Sequence, residues 1–200
     1  MLYNIKYEIL KNKVNNKIFK YDLILFKNFI IDFDKMIKIK TPLNDDDILN
    51  LKLNDKLLIS GTIYTGRDTV LPKLVDLLER KVKLDINIQG SGIMHTAVSD
   101  AGIATTSSNK KEIESSIGPL SKHGIKVHIG KGALSDKTKR ELEKYNSTYL
   151  VSPPVAALLT DCIIKKECVM FEEEGIEGCF KLQVKDLPAV VTIVNGKSIY

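Results

Sequence analysis

Lys56-Leu57-Leu58-Ile59-Ser60-Gly61-Thr62-Ile63-Tyr64-Thr65-Gly66-Arg67-Asp68 is the stretch that decides how this chain is read. A short apolar run gives way to small hydroxyl residues and Gly66, and then an arginine stands beside an aspartate. The pattern predicts a strand over residues 56–64, ending where backbone must turn sharply or approach a ligand closely. The Arg67 guanidinium is a planar fork of donors matched to a carboxylate or a phosphate. On these residues alone two readings stay open. One is an anion-binding loop; the other is an Arg67–Asp68 pair that stabilises a strand-to-helix turn, since acids at helix starts are common.

Working outward, Leu71, Leu74, Val75, Leu78 and Val82 recur at helical spacing, with Pro72 tolerated in the first turn. Upstream, Asn44-Asp45-Asp46-Asp47 places acids at the start of a short helix ending near Leu51. Residues 86–95 read as a short strand broken by Gly90 and Gly92, followed by a small-residue loop over residues 99–109. A helix over 110–117 comes next, with a second turn after Pro119. Residues 126–129 form a strand ended by Gly130-Lys131-Gly132, and Ser135 caps a helix running to about Tyr145. A strand at 148–151 leads to Pro153-Pro154 and an apolar helix over 155–164, then a strand at 169–172. Segments 180–184 and 189–194 read as antiparallel strands, and Asn195-Gly196 is a tight-turn signal. Strands alternating with helices between hairpin-like ends predict an α/β fold, a mixed sheet flanked by helices. Three of the loops follow strands and precede helices, where backbone N–H groups can gather around an anion.

Two hundred residues suit one domain with an appendage, and 44% apolar content is enough for a core. No run approaches the ~18 apolar residues of a membrane span. The N-terminus does not read as a signal peptide, so a soluble cytoplasmic protein with no membrane partner is expected. The net charge of +5 lies within residues 1–40, which hold nine Lys against four acids. The remainder balances 21 basic with 21 acidic residues, so no nucleic-acid partner is expected. Composition shifts at Met36. Residues 1–35, without Gly or Pro, read as an N-terminal extension, strand-rich or poorly ordered, and residues 36–200 as the domain proper. Cys162, Cys168 and Cys179 match no metal-ligand spacing and read as reduced structural thiols, with no metal site on this chain. His95, His123 and His128 are scattered and read as structural or surface residues.

Taken in order, several elements resemble the β subunit, or C-terminal domain, of class I fumarases and L(+)-tartrate dehydratases. They are Lys40-Thr41-Pro42-Leu43, the stretch from Leu58 to Asp68, Ile129-Gly130-Lys131-Gly132, Tyr149-Leu150-Val151 with Ala156-Ala157-Leu158-Leu159, and Asp186-Leu187-Pro188-Ala189-Val190-Val191. The likeness covers about residues 38–200. It implies a swivelling β/β/α domain that works with an α subunit carrying a [4Fe–4S] cluster, in an oligomer that adds or removes water on a small hydroxy di-acid. It further implies that Arg67 clamps a substrate carboxylate and Asp68 orients it. Thr105 of the Thr105-Thr106 pair would be the proton-transfer group, with Thr106 beside it at the substrate, and Lys131 would add positive charge. A threonine hydroxyl is a poor base without activating neighbours. On the residues alone, Lys131 between two glycines reads as a solvated turn residue, and residues 105–108 read as a helix cap.

The chain departs from the family pattern at functional places. Leu71 stands where the family has a histidine, and Asn109 where it has a second arginine contacting substrate. Lys110 is adjacent to that position but has no bidentate fork. The segment before the loop lacks a Gly-Pro-rich insert. Pro153-Pro154 replaces a Gly-Gly pair and removes two backbone donors. The chain alone is expected to be inactive without its α partner. The alternative is a non-catalytic paralogue that binds an anionic metabolite or a partner protein.

Overall fold

Strand β2 (Lys56–Thr65) is the centre of the architecture, and its burial explains its sequence. Leu57, Leu58 and Ile59 are all buried, as are Ile63 and Tyr64, so both faces of the strand are covered. At roughly 1.5–3 kcal/mol for each large apolar side chain removed from water, this run anchors the domain. The structure is a computed structural model that describes residues 36–107 and 110–200. The expected extension over residues 1–35 lies outside the described residues.

In chain order the elements are β1 (Ile37–Lys40), α1 (Asp45–Leu49), β2, α2 (Val70–Glu79), β3 (Gly92–Met94), β4 (Val98–Ser99) and β5 (Gly102–Ile103). They continue with α3 (Lys111–Lys122), β6 (Val127–Gly130), α4 (Asp136–Lys144), β7 (Thr148–Val151), α5 (Ala156–Asp161) and β8 (Ile163–Met170). A 3-10 segment (Glu172–Glu177), β9 (Cys179–Val194) and β10 (Lys197–Ser198) complete the domain. This is an α/β fold with a mixed sheet, as the alternation of elements predicts.

Strands β1, β2, β3, β6 and β7 are parallel neighbours. The long β9 runs antiparallel to β2 from Lys181 to Val190 and to β7 from Val190 to Ile193. Because it pairs with both, the sheet closes on itself in a barrel-like ring, a closure the sequence reading did not include. Its interior is filled by Ile59, Ile63, Met94, Val127, Ile129, Leu150 and Val191, among others. Alternate residues face outward: Tyr64 and Ile93 pack with Leu71, Leu74, Ile113 and Leu120, while Tyr149 and Ile193 pack with Ile117 and Leu142. Gly61, at φ +104°, lies against β1's exit. A Cβ there would sit 2.5 Å from Thr41 Oγ1, so only glycine fits the irregularity at that point in β2.

Several element boundaries differ from the sequence reading. The first helix is shorter than its acids suggested but fully capped: Asn44 Oδ1 accepts from Asp47 N–H at 3.0 Å and Asp47 Oδ2 accepts from Asn44 N–H at 2.8 Å. Only residues 92–94 of the expected strand at 86–95 pair in the sheet. Helix α3 runs straight through Pro119, whose missing N–H falls near the helix end and does not break it. The apolar helix expected over 155–164 stops at Asp161, because Ile163 already pairs with Val184 as the first residue of β8. That strand replaces the one expected at 169–172. The two closing strands are one strand, β9, with Asp186 at φ +53° absorbing a register shift against β2 between Ile59 and Gly61. Asn195 and Gly196, both at positive φ, make the expected turn into β10.

Candidate functional site

Four parallel strands in adjacent positions end on one edge of the sheet, and each delivers a loop there: Arg67-Asp68 after β2, His95-Thr96 after β3, Lys131 after β6 and Ser152 after β7. In parallel α/β sheets, open or closed into a barrel, the carboxyl ends of the strands are where ligands bind. The hairpin β4–β5 folds back over the same edge. Ala104 N–H donates to Ala97 O at 3.0 Å, Thr96 Oγ1 donates to Ala104 O at 2.7 Å, and Ser107 N–H donates to His95 O at 2.7 Å. These bonds hold Thr105 and Thr106 beside the end of β3, with Thr105 half-buried and Thr106 buried. They are not a helix cap, because the residue preceding α3 is Lys110 and makes no side-chain capping bond. Asn109 lies outside the described residues.

Arg67 is fixed at both its backbone and its head. Its carbonyl accepts from Val70 N–H at 3.1 Å and Leu71 N–H at 2.8 Å, which makes it part of the first turn of α2. Its Nη1 pairs with Glu177 Oε1 at 2.9 Å, and its Nε lies 3.7 Å from Asp68 Oδ1. Those last two atoms are buried and have no hydrogen-bond partner among the described residues. Asp68 Oδ2 accepts from Lys110 Nζ at 2.6 Å. That bond, against the smaller opposing effect of burial, holds the Asp68 carboxyl below its ordinary range. Lys110 therefore turns toward the Arg67 loop and places a second cation within reach of it. Leu71, at the position noted above, is fully buried among apolar side chains of α2 and α3 and takes no part in the polar site.

Lys131 is exposed, while its carbonyl accepts from Tyr149 Oη at 3.3 Å. The residue before it must be glycine, since a Cβ on Gly130 would lie 2.2 Å from Tyr149 Oη and 2.8 Å from His95 Nδ1. Beneath these loops, His95, His128 and Tyr149 share the face of the sheet covered by α3 and α4. The ring centroids are 6.1 Å apart for His95–His128 and 6.2 Å for His95–Tyr149. Both histidines are almost completely buried. Burial lowers the His95 pKa to about 4 and pushes that of His128 well below the usual value, so both are neutral at pH 7. His128 shares a hydrogen bond with Ser121 Oγ at 2.9 Å. Burial also raises the Tyr149 hydroxyl. The structural reading of His95 and His128 fits this burial, although His95 also ties two of the site loops together.

Two contributors had no signal of their own in the sequence. Glu177 sits in an acidic run, Glu172-Glu173-Glu174 and Glu177, that matches no motif pointing to a site. The antiparallel pairing of β9 with β2 brings its segment back to the Arg67 loop. Lys110 was visible as a neighbour of Asn109, but its partner was not. Pro153 and Pro154 form a turn in which Val155 N–H donates to Pro153 O at 2.8 Å.

Among the described residues no group of three or more His, Cys, Asp or Glu side chains is placed to hold a metal ion. Cys179 is fully buried and its thiol is pushed up to about 12 by burial, and Cys168 is raised for the same reason. Cys162 donates to Leu158 O at 3.3 Å. Cys168 and Cys179 are therefore protonated at pH 7, and the donor set does not fit an iron–sulfur cluster. Among the described residues no helix is long and apolar enough to cross a membrane.

Residues 27–200 match the family model described as fumarase C-terminus. A putative class I fumarate hydratase of Geobacillus stearothermophilus is 33% identical over 181 residues, which cover 83% of this chain and 34% of that protein. The chain thus spans about a third of the length of that relative. A putative L(+)-tartrate dehydratase subunit beta of Methanocaldococcus jannaschii is 28% identical over 173 residues, 79% of this chain and 88% of that protein. The L(+)-tartrate dehydratase subunit beta of Escherichia coli K12 is 25% identical over 169 residues, 76% of this chain and 80% of that protein. With a family model covering most of its length, the chain belongs to the fumarase C-terminus family.

Proposed function

We propose that this chain is the β subunit of a hydro-lyase resembling class I fumarases and L(+)-tartrate dehydratases, adding water to or removing it from a small hydroxy di-acid. Residues 36–200 are the functional unit, a swivelling β/β/α-type domain that carries its loops to a partner, and residues 1–35 are an appendage. The partner is an α subunit bearing a [4Fe–4S] cluster, a reading supported by the likeness to proteins named as L(+)-tartrate dehydratase subunit beta. The complex is cytoplasmic and oligomeric. The single observation that carries this reading is the convergence of Arg67, the Thr105-Thr106 pair and Lys131 at one carboxyl edge from three separate loops.

In this reading each residue has a distinct task. Arg67 grips a substrate carboxylate, with its backbone fixed in the first turn of α2. Asp68, kept ionised by Lys110, orients the arginine and the substrate. Lys131, exposed at the end of β6, adds positive charge to an incoming di-anion. Thr105 moves the proton, Thr106 contacts substrate beside it, and Asn109 is a further substrate contact by sequence position. Its loop is held at the end of β3 by the Ser107–His95 and Ala104–Ala97 bonds.

The test is purification from the native host with a tag on this chain, iron and sulfide analysis of what co-purifies, and assays with fumarate, L-malate and L(+)-tartrate. The reading predicts an iron–sulfur partner and turnover by the complex, with none by the chain alone. Robust turnover by the isolated chain would refute it. Binding of an anionic metabolite with no iron–sulfur partner and no turnover would identify the non-catalytic paralogue instead.

A further inference from the structure

Glu177 lies 110 positions after Arg67, and three separate sets of contacts deliver it there. Thr65, the last residue of β2, accepts from Phe180 N–H through its hydroxyl at 3.0 Å and donates to Gly178 O at 3.4 Å. The backbone on the C-terminal side of Glu177 is thereby tied to a point two residues before Arg67. Lys73 of α2 pairs with Glu174 and holds the 3-10 segment from its other side. Thr69 Oγ1 donates to Glu177 Oε2 at 3.0 Å, while Glu177 Oε1 meets Arg67 Nη1 at 2.9 Å. Both carboxylate oxygens are therefore engaged, one by a hydroxyl and one by the guanidinium. Beyond Arg67 the series continues through Asp68 to Lys110, so negative and positive groups alternate along the edge.

An exposed arginine loses side-chain freedom each time it closes on a ligand, and that loss is subtracted from affinity. A guanidinium already docked on a fixed carboxylate has lost it before the ligand arrives. We propose that Glu177 is a positioning residue for Arg67: pinned by Thr69, its carboxylate fixes the Nη1 end of the guanidinium so that the arginine meets a substrate carboxylate already oriented. This rests on the reading of Arg67 as the carboxylate grip given above. A competing role, in which Glu177 plugs the arginine until substrate displaces it, predicts changes of opposite sign.

The experiment uses the full chain in complex with its partner subunit, comparing wild type, Glu177→Ala, Glu177→Gln and Arg67→Ala with L-malate and L(+)-tartrate as substrates. Positioning predicts that Glu177→Ala raises KM about tenfold while kcat changes less than about threefold, as expected for weakened binding in both ground and transition states. Glu177→Gln, which keeps the shape and an acceptor oxygen, recovers part of that loss. A second readout needs no turnover. In the 15N-labelled full chain the Arg67 Nε–H, which is buried, should give a rigid heteronuclear NOE that falls in Glu177→Ala. A lowered KM in either Glu177 variant would establish the plug and overturn the proposal, as would an unchanged KM with an unchanged NOE. If Arg67→Ala itself leaves turnover intact, the carboxylate-grip reading fails; if only the Glu177 variants are silent, the positioning role alone fails.

Discussion

Acid should weaken this fold above the range in which its carboxylates titrate, and His95 makes the effect calculable. The imidazole is 1% exposed, its Nε2 has no hydrogen-bond partner among the described residues, and its folded pKa is about 4 against 6.5 in the unfolded chain. A folded pKa below the unfolded one means that the unfolded state binds more protons between those two values. Stability is therefore fully present above about pH 7 and falls as pH drops toward 4. Linkage gives a loss of about 2 kcal/mol between pH 7.5 and pH 5 from His95 alone, reaching about 3 kcal/mol by pH 4. His128, also lowered by burial and by its proximity to His95, adds in the same direction. Asp45, Asp68 and Glu79 are lowered chiefly by bonds to lysines, so their contributions are present above the ordinary carboxylate range and are lost as pH falls through that range toward their lowered values. Urea unfolding followed by circular dichroism at steps from pH 7.5 to 5 isolates the histidines. The His95→Phe variant should lose about 2 kcal/mol of the wild-type pH dependence, whatever its absolute stability. A wild-type stability that is flat over this interval, or an equal slope in the variant, would show that His95 is not the group that titrates.

Other outcomes follow from the same geometry. Gly130→Ala should destabilise the chain by about 1–3 kcal/mol in urea, since the new Cβ meets Tyr149 Oη at 2.2 Å, and adding Tyr149→Phe should recover part of that loss. Tyr149→Phe alone should cost only about 1 kcal/mol, the worth of the bond to the Lys131 carbonyl, measurable in the same titrations. Lys110→Met removes the largest cause of the lowered Asp68 pKa, so the Asp68 carboxyl signal in a 13C-detected titration should move up toward its ordinary range; an unmoved midpoint would contradict that cause. Cys179, buried with its thiol near pKa 12, should resist Ellman's reagent at pH 8 in the native chain and react once urea is added.

The parts of the fold legible in the sequence are those specified locally. Strand β2 shows its burial in consecutive Leu57, Leu58 and Ile59. Helix α2 shows its face in Leu71 and Leu74, and α4 shows its start in Ser135, whose hydroxyl accepts from Thr138 N–H. What was illegible depends on pairing at long range. Asp186-Leu187-Pro188 reads as a break, yet Pro188 sits opposite Leu58 and a residue at positive φ carries β9 through the irregularity. The closing of the sheet by β9 has no local signature, and neither has the delivery of Glu177 to Arg67, because both follow from one antiparallel register. His95 was visible as a residue but not as a buried one, since Met94-His95-Thr96 does not state which face the ring will take. The Arg67, Thr105 and Lys131 loops were recognisable because Gly and hydroxyl residues mark strand ends. Their grouping required the parallel order of β2, β3 and β6.

The central claim is that Arg67 grips a substrate carboxylate in a hydro-lyase complex. Its most direct test is kcat/KM for L-malate or L(+)-tartrate in the co-purified complex, for wild type and Arg67→Ala side by side with the partner's iron content held equal. Losing a charged contact worth about 2–4 kcal/mol predicts a fall of roughly thirtyfold to a thousandfold. An Arg67→Ala complex that turns over at the wild-type rate would contradict the account.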